Sequence, residues 1–154
     1  MTATRNLVLL PAMLIAAAWM LAAPEQADAG YRQYYSSWSY HPTHNYHYRT
    51  YYYRPAPRVT TYHTHYVVYR PSTPRYHYYY NPVRRVYWGR YDTEKQGYSL
   101  LAEEDRKADL DSIPESAFPE PGPMPTVPNT DDDLKLETPP TDTPEDPDPN
   151  LPAA

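Results

Sequence analysis

Six histidines and a set of arginines are the side chains best suited to chemistry in this 154-residue sequence, and they share one stretch. His41, His44 and His47 recur every third residue, so in a polyproline II geometry they line one face. His63 and His65 alternate and share a face if they lie on a strand, and His77 follows. Neutral imidazole suits Cu(II), Zn and Ni(II), which makes these six the candidate ligands for a transition-metal ion. The surroundings argue the other way. From Gly30 to Tyr91 there is no Asp, Glu or Lys, while nine arginines are present. A ligating histidine is commonly oriented by a carboxylate, and nearby arginines repel a cation. The competing reading is that histidine here is one more planar, polar contact group.

Eight of the arginines, Arg49, Arg54, Arg58, Arg70, Arg75, Arg84, Arg85 and Arg90, are the candidate polyanion-binding residues. All 19 tyrosines are interleaved with them between Tyr31 and Tyr98. Arginine pairs with acidic groups while tyrosine stacks on flat or apolar ones. The same residues attract one another through cation–π and ring–ring contacts, each worth about 0.5–1 kcal/mol when exposed. Many such contacts give adhesion through multivalency. The expected partners are therefore an anionic envelope polymer or glycan, or further copies of the chain. No motif for specific nucleic-acid recognition is present.

Nothing points to catalysis. There is no Gly-rich phosphate loop, no Gly-x-Ser-x-Gly elbow and no His-Glu-x-x-His. Asp131-Asp132-Asp133 lacks the glycine and terminal glutamate of a calcium loop. With no cysteine, disulfides and thiolate metal sites are excluded. No catalytic or cofactor-binding residue is assigned, and the expectation is a non-enzyme.

The elements that would position these groups are sparse. Residues 1–29 read as a Sec-type signal peptide: Arg5, an apolar run from Leu7 to Ala23, then Ala27-Asp28-Ala29 before Gly30. Cleavage between Ala29 and Gly30 would deliver a secreted, periplasmic or envelope protein. An uncleaved segment would instead anchor it in the membrane. After Ala29, Leu, Ile, Val and Phe supply only 14 residues, a level at which charged chains tend to stay unfolded.

Four regions follow. Residues 30–85 form a basic Tyr/His/Arg/Pro segment of low complexity. Val59 to Tyr69, Arg75 to Tyr80 and Val83 to Tyr91 within and beyond it have the composition of strands, with proline segments as turns. Residues 86–113 suggest a small hairpin–helix module, with a short helix near 100–110 that Pro114 stops. Residues 114–154 hold 12 of the 20 prolines and read as a solvated acidic tail. The expected fold class is thus mostly disordered, with an N-terminal signal helix, short β-hairpins within 59–101 and that one helix. Charge is segregated, +9 over residues 30–91 and −13 over residues 92–154, which suggests contact between the halves or with outside polyions.

Overall fold

The computed structural model describes residues 31–145, so the expected signal helix and its cleavage site lie outside the described residues. Within them the chain is a folded, curled antiparallel sheet. Its strands are β1 (Gln33–Tyr35), β2 (Ser39–His41), β3 (Tyr46–Tyr53), β4 (His63–Tyr69), β5 (Tyr76–Asn81), β6 (Val86–Asp92) and β7 (Gly97–Leu100). The spatial order is β1-β3-β4-β5-β6-β7, and β2 shares the outer edge of β3 with β1. The expectation of disorder is therefore wrong: the Tyr/His/Arg/Pro-rich segment folds into strands. Tyrosine does the packing that the missing aliphatics would have done. Tyr51, Tyr53, Tyr79, Tyr91 and Tyr98 are buried with Val67 and Trp88 in one cluster. Each large ring removes roughly 150–250 Å² from water, so a few rings replace many aliphatic side chains.

Proline and Asx chemistry make the turns. Pro55 and Pro57 lie between β3 and β4, and Pro71 and Pro74 between β4 and β5, where no ladder donor is needed. The β2–β3, β5–β6 and β6–β7 connections are four-residue turns ending in a left-handed residue, Asn45, Arg85 and Gln96. Asn81 Oδ1 accepts hydrogen bonds from the Val83 and Arg84 amides, and Asp92 Oδ1 from the Glu94 and Lys95 amides. These side chains close the turns locally. In β6, Trp88 is the extra residue of a bulge opposite Tyr79 and Tyr80, and the bulge sends its indole into the core. Gly89 beside it is required by close packing, because a Cβ there would lie 2.6 Å from the Ser99 carbonyl oxygen.

No helix forms near 100–110. Glu103–Asp105 is a single 3-10 turn, followed by two more at Leu110–Ser112 and Glu115–Ala117. Of Leu101, Ala102, Ala108 and Leu110, the apolar residues available to such a helix, only Leu101 is buried, too little to hold a helix of that length.

The acidic C-terminal region is a clip around the sheet. Residues 103–118 lie on the face opposite the tyrosine core: the Tyr87 amide donates to the Lys107 carbonyl, and Phe118 packs against Tyr78. The chain then turns over the β7 edge, where Tyr98 and Gly122 exchange both backbone hydrogen bonds. Residues 123–145 cross the core face, burying Val127 and Leu136 in the tyrosine cluster, with Met124 and Leu134 packed against it. At the far edge the Gln33 side chain bonds the Lys135 carbonyl and the Glu137 amide. Acidic residues of the clip pair with basic residues of the sheet: Arg32–Asp132, Arg49–Asp142, Arg70–Asp111 and Arg90–Glu115. Residues 114–145 are thus part of the second layer of the domain, and Glu115, Asp132 and Asp142 act as counter-ions to the sheet rather than as a solvated spacer.

Candidate functional site

Alternation in the strands divides the tyrosines between two faces. The core face takes Tyr51, Tyr53, Tyr79, Tyr91 and Tyr98. The outer face takes their neighbours. Registers align Tyr66 with Tyr80 and Tyr80 with Tyr87 across β4, β5 and β6, and Tyr48 with Val68 across β3 and β4. These side chains, with His41, Tyr46 and Ala108, line an open groove of about 420 Å³. Buried Val68 forms part of its floor. The rings meet edge to face: Tyr80 and Tyr87 at 5.0 Å, Tyr48 and Tyr66 at 6.1 Å, Tyr46 and Tyr48 at 6.4 Å. Such packing fixes ring orientations, so the groove is preformed.

The five phenol hydroxyls of Tyr46, Tyr48, Tyr66, Tyr80 and Tyr87 make no hydrogen bond to any described residue. Elsewhere hydroxyl bonding is mixed: Tyr35 bonds Tyr79 at 2.9 Å, Tyr51 bonds Gln33 at 2.6 Å and Tyr62 bonds the Tyr31 carbonyl at 2.5 Å, whereas the buried Tyr98 hydroxyl has no partner among the described residues. Burial raises Tyr46 above the ordinary phenol value and pushes Tyr87 up to about 12. Both therefore stay neutral at ordinary pH, able to donate and to accept. The groove continues into a polar depression of about 360 Å³ that includes His44, Arg70, Asp109 and Asp111. There Arg70 holds Asp111 in a two-pronged pair at 2.7 and 3.1 Å.

The histidines are dispersed. His41 and His44 lie at the β2–β3 turn with ring centroids 4.9 Å apart, both near Tyr46. His47, His65 and His77 are buried on the core face, and His63 is exposed at the start of β4. Among the described residues no three histidines or acids converge on a point where a metal ion would sit. The arginines are mostly engaged by the chain itself. Arg49, Arg70, Arg75, Arg84 and Arg90 pair with Asp142, Asp111, Asp92 and Glu94, Glu103 and Glu115. The Arg90 guanidinium also lies between the rings of Tyr76 and Phe118, at 3.6 and 4.0 Å. Arg54 sits 5.7 Å from the centre of the Tyr62 ring, and Arg58 and Arg85 are exposed in loops.

No protein-family model matches the chain, and no curated protein and no solved structure is similar to it. The site must therefore be read from its own residues. The groove escaped sequence reasoning because Tyr48, Tyr66, Tyr80 and Tyr87 are scattered over some forty positions. Only the strand registers bring them together. One usable signal was present: tyrosine at both odd and even positions of a strand such as β3, which puts rings on both faces.

Proposed function

We propose that this is an exported, non-enzymatic adhesive protein of the cell envelope or extracellular matrix, which holds glycan chains in the tyrosine groove of its outer face. The supporting observation is the open groove walled by five tyrosine rings that pack edge to face against one another and leave their hydroxyls free to bond a ligand. A sugar ring has an apolar C–H face and a rim of hydroxyls. Tyrosine matches both, with its ring for the first and its O–H for the second. Preformed, largely apolar concavities with a few polar groups are the usual form of a binding site. Export rests on the signal-like residues 1–29. Among the described residues no helix is long and apolar enough to cross a membrane.

This reading moves the binding work from arginine to tyrosine, because five of the eight candidate arginines already face acids of the same chain. It predicts weak salt dependence. Retention of the chain on insoluble peptidoglycan or a β-linked polysaccharide should change little between about 0.05 and 0.5 M NaCl, a range that screens exposed charges strongly. In the double variant Tyr66→Ser, Tyr87→Ser, retention should fall about tenfold, since each ring contact is worth roughly 0.5–1.5 kcal/mol. Binding that collapses with salt and ignores the double variant would assign the contact to arginine instead. Sedimentation velocity run alongside separates glycan binding from self-association.

A further inference from the structure

A second site lies on the opposite face, and its argument is independent of the glycan reading. Arg49 of β3 is 2% exposed, although its position belongs to the tyrosine core face. Its guanidinium carbon stacks 3.7 Å from the centre of the Trp38 ring. Its carboxylate partner is Asp142, with Nη2 donating to Oδ1 at 2.9 Å. That carboxylate belongs to the last part of the clip and is 58% exposed. The clip is also held here through its main chain: the Asp142 carbonyl accepts from Trp38 Nε1 at 3.1 Å and from Arg49 at 3.4 Å.

The surroundings have unused hydrogen-bonding capacity. Arg49 Nε and both ring nitrogens of His47 and of His77 are buried without a partner among the described residues. His47 and His77 are 4% and 0% exposed and flank Tyr69 across three adjacent strands. Buried donors and acceptors left unmade are costly and point to a missing partner. An open cleft of about 480 Å³ lies beside this place, lined by Trp38, Tyr40, His47, Asp142 and Glu145; Arg49 and His77 do not line it in this conformation.

We propose that the pocket around Arg49 is an oxyanion site, closed in this conformation by the chain's own Asp142 carboxylate, which an external carboxylate or phosphate group displaces. A planar guanidinium stacked on an indole is well suited to recognise such a group once the Asp142 carboxylate moves away. A buried arginine needs a counter-ion in every state, so exchange of one oxyanion for another keeps its charge compensated, whereas mere opening does not. The clip supplies its carboxylate intramolecularly, at an effective concentration on the order of millimolar, so an external oxyanion meets a standing competitor.

The test follows the indole N–H resonance of Trp38 in the full chain lacking residues 1–29, titrated with inorganic phosphate, with acetate, and with NaCl at matched ionic strength. The variant Asp142→Ala removes the competitor and keeps both main-chain contacts. It should show a saturable response to phosphate or acetate at least tenfold tighter than the unsubstituted chain, and none to NaCl. The stronger of the two arms identifies the oxyanion. Adding Arg49→Met, which preserves volume, should abolish the response. A folded Asp142→Ala protein with no saturable response would overturn the proposal, and so would a response that persists in the Arg49→Met background.

Discussion

Truncation before residue 119 is expected to abolish cooperative folding of the sheet. The segment removed looks dispensable by composition, yet it supplies Val127 and Leu136 to the core cluster and covers Tyr51, Tyr79, Trp88 and Tyr98. Burying two such aliphatic side chains contributes about 3–6 kcal/mol. That alone approaches the roughly 5–15 kcal/mol that holds a typical domain together. Truncation also exposes a row of aromatic rings and leaves Arg49 buried without its carboxylate. Far-UV and near-UV circular dichroism with urea melts provides the check. The expected result is loss of the near-UV tyrosine signal and of the sigmoidal transition. A truncated chain that melts like the complete one would mean that the clip is not part of the core.

Acid should unfold the protein above the range where ordinary carboxylates titrate. Burial lowers His65 from 6.5 to about 4, helped by neighbouring His63. Burial, with Arg49 nearby, lowers His77 from 6.5 to about 4 as well. In the unfolded chain both take up protons near 6.5. Their folded values are depressed, so the unfolded state binds more protons below 6.5. The stability is complete above that pH and falls away as the pH drops from 6.5 to 4. Each histidine then accounts for a loss of about 3 kcal/mol. Carboxylates lower the pH limit further. Glu115 is held below its ordinary value by Arg90, and Asp92 likewise, where Arg75 and two backbone amides outweigh burial. Their contributions disappear only as the pH falls through those lowered values, below the histidine window. A pH titration followed by tyrosine fluorescence should therefore show a midpoint between 6.5 and 4. In the variant His65→Phe, His77→Phe the midpoint should move down by about one pH unit. An unchanged midpoint would show that the two imidazoles do not govern acid stability.

The sequence carried part of this architecture. Runs rich in Val, Thr and Tyr and bracketed by Pro57 and Pro71 mark the region of β4, and 75–80 and 83–91 overlap β5 and β6. Segregated charge suggested that the acidic half meets the basic half, and the ion pairs from Arg32 to Asp132 and from Arg49 to Asp142 span about a hundred residues. What stayed hidden has a common cause, the double nature of tyrosine. Aliphatic content undervalues a core made of phenol rings. Burial alternates strictly along β3, but the sequence does not display it, because Tyr46, Tyr48 and Tyr52 sit on one face and Tyr51 and Tyr53 on the other. The clip was illegible because its apolar anchors, Val127 and Leu136, stand nine residues apart among prolines and acids. No local pattern joins them; only the sheet they cover does. The groove was hidden for a similar reason, since its walls come from β3, β4, β5 and β6 and are assembled by register.

Glycan binding depends on the outer-face groove, and a residue-resolved binding map tests this most directly. The full chain lacking residues 1–29, labelled at tyrosine, would be titrated with soluble oligosaccharides released from envelope peptidoglycan and from a β-linked polysaccharide, with shifts followed by NMR. Saturable shifts are predicted at Tyr46, Tyr48, Tyr66, Tyr80 and Tyr87, with core tyrosines such as Tyr51 and Tyr98 unmoved. Shifts confined to other tyrosines, or no saturable shift with any of these glycans, would contradict glycan binding in the groove.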